Sequence, residues 1–527
     1  MDISQQQKNL FLFAFLAIGI LLRGYFPFWT SSFLVHDGGL HLQLGQELIA
    51  NDLRLPRATD YNRLSIPFVY PPLSTYLLAI TSQASGWEIS SILRFLPAFI
   101  ACLTIIAAFR LFEEILRLNW QRVVAGALFC FLPEAFCQLV KSGGISRGLG
   151  ALFCLLAMRE VVRVFRCSTI APPIILPQRS LVILSLLLAA TALSHPEWTL
   201  ALLLFMLSAL ICNPCCRASL AAAVLFSGVL TAPWWALMLW QHGLVPFWAA
   251  ASSGTHSINL SALGTLQLFP LSVNSGFHFL GMTGILVCVA RREYFMVVFL
   301  LLGGVLQTRG FRWVVVVPFA YFVAIGLEQV FALLFPPPGK SNLQGYASEW
   351  QPRTMRIVIA LLLAYALAEG VSLARQDRPE LQSASAPMVE AFQWVRENTA
   401  QSSKFILLTG LPWWVDYSNE LFPAMAGRQS LTTCQGREWL DGGRFHECLM
   451  LVAELQNPFD GSRSEIVSQI LSRADIDFLL GMKKAFSSKA IAAILGDRYE
   501  VVFENQEVLI FKHRSPLGPG VTQGLDF

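Results

Sequence analysis

Charge is what this 527-residue sequence has least of: Asp, Glu, Lys and Arg make up 14%, against 55% hydrophobic residues. A soluble domain carries about 25% charged residues, so most of this surface must meet something other than water. The net charge of +4 is small and the basic residues form no stripe, which speaks against a nucleic-acid partner. There is no glycine-rich phosphate loop and no zinc-type Cys/His spacing. There is also no internal repeat of the kind many transporters show. Most of the eleven cysteines stand in apolar runs (Cys102, Cys130, Cys137, Cys154, Cys288) and read as small buried hydrophobes. Cys212, Cys215 and Cys216 cluster beside Asn213-Pro214 but lack a second ligand pair, so they read as packing. Function must therefore rest on where the few polar residues stand relative to a membrane.

A helix needs about 20 apolar residues to cross the bilayer core. Apolar runs predict spans near 10–28, 92–113, 123–140, 148–165, 180–195, 197–212, 218–240, 276–290, 294–309, 312–334 and 356–374. The first run is longer than a signal-peptide core and is followed by no small-residue cleavage site, so it reads as a retained span. The apolar stretch 71–84 is too short to cross and reads as a re-entrant or interfacial helix. Lys8, Arg117, Arg122, Arg159, Arg163, Arg166, Arg179, Arg217, Arg291, Arg292, Lys340, Arg353 and Arg356 all fall on one side if the N-terminus is cytoplasmic. Residues 336–355, rich in Pro, Ser and Gln, are then a cytoplasmic linker, and everything after 375 lies outside.

Beyond 375 the charge density rises and shorter apolar runs alternate between helical and strand patterns. A helix is predicted over 387–399, with Pro387 in its first turn. Strands are predicted at 405–408 and 478–480, helices at 464–472 and 490–495, and a hairpin joining 501–503 to 508–511 through Asn505-Gln506. The expected organisation is a transmembrane domain (1–374), an extracytoplasmic α/β domain (375–514) and a disordered tail (515–527). Cys434 and Cys448 are the cysteines of the outer domain and are expected to pair in an oxidising compartment.

The predicted outer loops carry nearly all the unusual polar residues. The first contains His36-Asp37-Gly38-Gly39, then His41, Glu47 and Asp60, and runs into Tyr70-Pro71-Pro72-Leu73. Asp37 stands a few residues beyond the first span, where a partly desolvated carboxylate can act as a general base. The alternative is a solvated loop aspartate or a helix N-cap for His41–Ala50. Trp29, Trp87, Trp198, Trp234, Trp235, Trp240 and Trp313 gather at predicted outer ends, as in an aromatic belt. A carbohydrate site would use the same rings.

A long first outer loop with an acid just after span one, then a Pro-Pro-Leu turn, then a span ending in cytoplasmic charge resembles the GT-C class of membrane glycosyltransferases. So does the outer C-terminal domain. The stretch Gly143-Gly144-Ile145-Ser146-Arg147-Gly148-Leu149-Gly150 is similar to a bacterial branch of GT-C-like proteins. The same holds for His195-Pro196-Glu197, Pro233-Trp234-Trp235, His242-Gly243 and Asn419-Glu420-Leu421-Phe422-Pro423-Ala424. For that branch the resemblance gives a fold and not a substrate. It implies a sugar taken from a polyprenyl-phosphate carrier at the outer face, with Asp37 as base toward an acceptor hydroxyl and inversion at the anomeric carbon. Many GT-C members have a second acid, and here no Asp-x-Asp occurs in an outer loop; Glu134 and Glu197 are the nearest substitutes. Asp475-Ile476-Asp477 precedes a predicted strand and reads as structural. No cofactor is fixed, and a divalent metal stays open.

A leaving phosphate needs positive partners, and arginine offers a rigid fork of donors. Lys141 and Arg147 flank the glycine pair Gly143-Gly144 of the second outer loop, and Arg309 and Arg312 flank Gly310; the alternative for each is snorkelling to the membrane interface. His36, His41, His195 and Glu197 complete the candidate substrate- and phosphate-binding set, because ionisable groups facing a membrane cavity are usually functional. His242 and His256 read as solvated loop residues. The expected partners are a lipid-linked sugar donor, an acceptor of unknown kind and membrane lipid. Two other readings compete: a flippase for a lipid-linked sugar, and an inactive GT-C relative.

Overall fold

The computed structural model describes residues 4–29, 36–170, 178–253, 275–306, 311–334, 347–376, 384–440, 442–456, 470, 476–485 and 498–514. Its N-terminal part is helical: α1 (Gln5–Trp29), α2 (Gly38–Ala50), α3 (Leu73–Ser85), α4 (Ile89–Ile115), α5 (Asn119–Phe131), α6 (Gly144–Ile170), α7 (Gln178–Ala192), α8 (Pro196–Cys212), α9 (Arg217–His242) and α10 (Val245–Ser253). Then follow α11 (Ser275–Ala290), α12 (Phe295–Leu306), α13 (Val316–Leu334) and α14 (Ala347–Gln376). Each predicted span other than 123–140 coincides with a helix. Among the described residues, four helices are long and apolar enough to cross a bilayer on those grounds alone, at Gln5–Tyr25, Ile89–Ile115, Pro214–His242 and Val316–Leu334; others are shorter apolar helices. The segment 71–84 is indeed a separate short helix, α3.

Two expectations need correction. The run 123–140 is not one span: α5 stops at Phe131, Leu132 turns extended, and Pro133 opens a single 3-10 turn. Proline has no N–H to continue the ladder, so the chain from 132 to 143 continues past α5 mostly as turns and irregular backbone. The linker 336–355 is also shorter than expected, because α14 already starts at Ala347.

The helices pack about one large apolar cluster drawn from α4, α5, α6, α8, α11 and α13. The α11–α13 pair approaches closely because Gly284 and Gly326 face each other's backbones. A Cβ on Gly284 would lie 1.9 Å from the Phe322 carbonyl oxygen, and one on Gly326 would lie 1.9 Å from that of Leu280. Small residues serve this purpose where lipid supplies no hydrophobic drive between helices. At one end of the bundle the basic loop residues are neutralised by acids. Lys8 pairs with Glu113 at 2.6 Å, Arg163 with Glu114 at 2.8 Å and Arg117 with Glu293 at 2.9 Å.

The opposite end carries α2, α3, a two-stranded ribbon of β1 (Ala58–Thr59) and β2 (Ile66–Pro67), and the C-terminal unit. That unit contains α15 (Ala386–Asn398), β3 (Lys404–Leu408), α16 (Tyr417–Ala426), β4 (Gln429–Ser430), α17 (Arg444–Gln456), β5 (Phe478–Met482), β6 (Tyr499–Glu504) and β7 (Val508–His513). The sheet order is β4-β3-β5-β7-β6; β3 runs parallel to β4 and β5, and β7 runs antiparallel to β5 and β6. The Ser385 hydroxyl accepts from the Met388 N–H, capping α15 one residue before the predicted start. The β6–β7 hairpin turns at Asn505, whose side-chain oxygen accepts from the N–H groups of Glu507 and Val508. Asp477 accepts from the Lys404 N–H at 2.8 Å and ties the mouths of β3 and β5, a structural role as expected. The Cys434 and Cys448 sulfurs lie 2.8 Å apart as thiols. The predicted helices 464–472 and 490–495 and the tail lie outside the described residues.

Candidate active site

The site is built where α2 leaves the first loop. His36 and Asp37 both adopt left-handed backbone, with φ of 52° and 31°. Two consecutive non-glycine residues in that region cost roughly 1–2 kcal/mol each. Asp37 stands at the N-cap position of α2, yet its side chain makes no capping hydrogen bond. The N-cap alternative is therefore wrong for the carboxylate. It faces the bundle instead: Oδ2 accepts from Arg147 Nη2 at 2.8 Å, and Oδ1 lies 3.7 Å from His36 Nδ1.

Arg147 is positioned by the first turn of α6, and the connection that precedes it is held against the loop by backbone. The Gly143 N–H donates to the His36 carbonyl at 3.1 Å. A Cβ at Gly143 would meet Asp37 Cβ at 2.5 Å and the His36 carbonyl oxygen at 2.6 Å. Only glycine lets the two segments approach this closely. Lys141, from the same connection, is buried with its ammonium 3.3 Å from the Tyr417 hydroxyl and 5.6 Å above that ring. The Tyr70 hydroxyl lies 3.0 Å from Ser146 Oγ, and the His41 ring sits edge-on to Tyr70 at 5.3 Å.

Burial sets the charges. It would push the Asp37 carboxyl up, but the Arg147 guanidinium and the neighbouring His36 ring outweigh it and hold that carboxyl well below the usual carboxylate range. Burial lowers His36 and His41 to about 4 each, so both rings are neutral at pH 7. Neither ring nitrogen of His41 has a hydrogen-bond partner.

The predicted residues His36, Asp37, His41, Lys141, Arg147, His195 and Glu197 come to one end of the bundle. His195 is the N-cap residue of α8 and Glu197 lies in that helix's first turn; His195 feels the charges of Glu197, Arg147 and Asp37. Arg312 stands on a one-turn helix, Phe311–Val314, and Arg309 lies outside the described residues, as does His256. Glu134 is carried by the turn Pro133–Ala135.

The carboxyl that reaches Asp37 is one that loop reasoning passed over. Glu420, on α16 of the C-terminal unit, has a side-chain oxygen within 4.8 Å of ligand atoms of both His36 and Asp37. Its Oε2 is buried without a hydrogen-bond partner. Burial first, then the negative charges of Asp37 and Asp416, push its carboxyl well above the usual range. The available signal was the motif Asn419–Ala424 itself. These three residues are the group among the described residues whose spacing suits a metal ion. Their charges do not fit one: Asp37 is committed to Arg147, and Lys141 adds a second cation. The cluster is electropositive and suits an anion better, so no step is derived through a metal.

The arrangement and the topology together define a class: the chain has the fold of the GT-C membrane glycosyltransferases. ArnT from Cupriavidus metallidurans, solved with undecaprenyl phosphate, aligns over 96% of this chain and 99% of its own, at a TM-score of 0.53 and 13% identity. The oligosaccharyltransferase AglB from Archaeoglobus fulgidus, in complex with an inhibitory peptide and a dolichol-phosphate, covers 91% of this chain and 70% of its own, at 0.56 and 15%. The mycobacterial arabinofuranosyltransferase AftD reaches 0.58 at 14% identity over 98% of this chain, which spans 40% of AftD's length. No protein-family model and no curated protein sequence matches the chain.

Proposed function

We propose that this protein transfers a sugar from a polyprenyl-phosphate carrier to an acceptor at the outer face of the membrane, with Asp37 as the general base. The observation that carries the reading is the half-buried Asp37–Arg147 ion pair beside the buried Lys141, at the end of a GT-C bundle opposite its neutralised basic loops. Solved structures of this fold contain undecaprenyl phosphate or dolichol-phosphate, and a carrier of that kind suits the two cations, the buried Lys141 and the half-buried Arg147. Arg147 is the pivot. With no donor bound it neutralises Asp37; a donor phosphate competes for the guanidinium, and Asp37 regains basicity as Arg147 turns to the phosphate. Asp37 then accepts the acceptor's hydroxyl proton as that oxygen attacks the anomeric carbon, and the carrier phosphate departs onto Arg147 and Lys141.

In this reading the N-terminus is cytoplasmic, and the unit after residue 375 covers the site from outside. The enzyme is an inner-membrane glycosyltransferase; hexosyl and pentosyl donors both suit the fold. The test is transfer from a panel of polyprenyl-phosphate-linked sugars by the purified full chain, wild type beside Asp37→Asn, below the melting temperature of both. Loss of the base should lower the rate about 100-fold or more. An Asn variant that keeps the wild-type rate would remove Asp37 from the chemistry.

A further inference from the structure

We propose that Glu420, carried by the C-terminal unit, is the acid partner of Asp37 and protonates the departing carrier phosphate. The inference rests on the transferase reading. Its geometry is independent of any loop motif. Glu420 is held onto the first loop by its own backbone: the Tyr61 hydroxyl donates to the Glu420 carbonyl at 2.5 Å. Asn62 exchanges hydrogen bonds with Ser430, at 2.9 and 2.6 Å, and so fastens the same two units one strand further on. The side chain is thereby buried beside His36 and Asp37 with Oε2 unpartnered.

The groups facing it from the surrounding elements are Asp37 and His36 from the first loop, Tyr61 from the turn at Tyr61–Arg63, and Arg147 and Lys141 from α6 and its connection. Asp416 comes from its own element's N-terminus. The α15 face packs against α16 through rings, Phe392 on Phe422. Two carboxyls in one cluster thus have unlike surroundings: Asp37 is ion-paired with Arg147, whereas Glu420 is buried with its Oε2 unpartnered among the described residues, and burial and the charges of Asp37 and Asp416 push its carboxyl up. Environments that push paired carboxyls apart are how one site provides both an acid and a base.

The step balances. The acceptor's hydroxyl proton passes to Asp37 as its oxygen bonds to the anomeric carbon. The bond from that carbon to the carrier-phosphate oxygen breaks, its electron pair goes to that oxygen, and the Glu420 proton follows. The product carrier leaves as a monoanion, and the proton on Asp37 crosses to Glu420 to restore the pair.

Glu420→Gln tests this, since glutamine keeps the neutral shape and a donor but has no proton to give. The full-length variant should melt close to wild type and bind undecaprenyl phosphate within a few-fold. Its transfer should be about 100-fold slower and should lose the alkaline fall in rate shown by wild type. A protonated-carboxyl infrared band at neutral pH should vanish with Glu420→Gln and persist in Asp37→Asn. Equal transfer by wild type and Glu420→Gln overturns the assignment and leaves the transferase reading standing. So does absence of the band, or a retained alkaline limb. A wild type inactive with every polyprenyl-phosphate sugar overturns both.

Discussion

The closest-packed element of the site gives the sharpest prediction. Gly143→Ala adds one carbon, 2.5 Å from Asp37 Cβ and 2.6 Å from the His36 carbonyl oxygen. Ordinary carbon contacts lie near 3.5–4.0 Å, so the loop and the α6 connection must separate by about 1 Å. Neither neighbour is a flexible side-chain end. Both belong to backbone already held at positive φ, where little slack remains. Overpacking of this kind costs about 1–3 kcal/mol, and the same displacement breaks the 2.8 Å bond from Arg147 to Asp37. A misplacement of about 1 Å in a catalytic constellation costs roughly 100-fold in rate. The assay is sugar transfer together with thermal melting of purified protein. The control is Gly228→Ala, whose added carbon meets nothing within 4 Å. A Gly143→Ala variant that melts and transfers as the control does would refute the claim that this backbone contact sets the site.

Asp37→Asn leaves the half-buried Arg147 charge without its carboxylate and should destabilise by about 1–3 kcal/mol; adding Arg147→Met should restore much of that, measured as a double-mutant cycle of melting. Glu420 holds its proton to higher pH when folded than when unfolded, so its contribution to stability is lost as pH rises through its folded value. The melting temperature should therefore decline toward alkaline pH, and less steeply in Glu420→Gln. Cys434 and Cys448, with sulfurs 2.8 Å apart, should be recovered as a disulfide by mass spectrometry of protein matured outside the cytoplasm. For topology, cysteines placed at the exposed positions Gln401 and Arg292 should label from opposite sides of the membrane, and labelling from the same side would overturn the orientation.

The helical architecture was legible because lipid imposes it: a chain with this little charge has few other ways to satisfy its backbone than in helices. The break in 123–140 was not, because hydropathy scores Leu132 and Pro133 as apolar and ignores that proline ends a ladder. In the C-terminal unit, the short buried strands at 405–408 and 478–480 and the turn at Asn505 were readable from β-branched and aromatic runs with polar punctuation. Asp37, Arg147 and Lys141 stood out because an ionisable group near a span end needs a partner, and the structure shows Asp37 and Arg147 partnering each other.

Glu420 was hidden for a different physical reason. In sequence it is one acid in a charged, amphipathic stretch of the C-terminal unit, where carboxylates are ordinarily solvated. Its burial comes from docking that unit onto the first loop, a contact between residues 359 positions apart in the bond from Tyr61. No periodicity within either segment records it. A loop motif can expose an acid whose neighbours are fixed by the chain beside it. An acid delivered by a distant unit becomes visible only when the interface is known. Glu134 and Glu197 sit on a turn and a helix start of the bundle, whereas the carboxyl beside His36 and Asp37 arrives with the C-terminal unit. If the reading is right, undocking that unit should silence the site even with every bundle residue intact. Asn62→Ala, which removes both hydrogen bonds to Ser430 while leaving Asp37, Arg147 and Lys141 untouched, should lower transfer several-fold. It should also shrink the Glu420 infrared band as water reaches the carboxyl; transfer and band both unchanged would show that the docking contact does not govern the site.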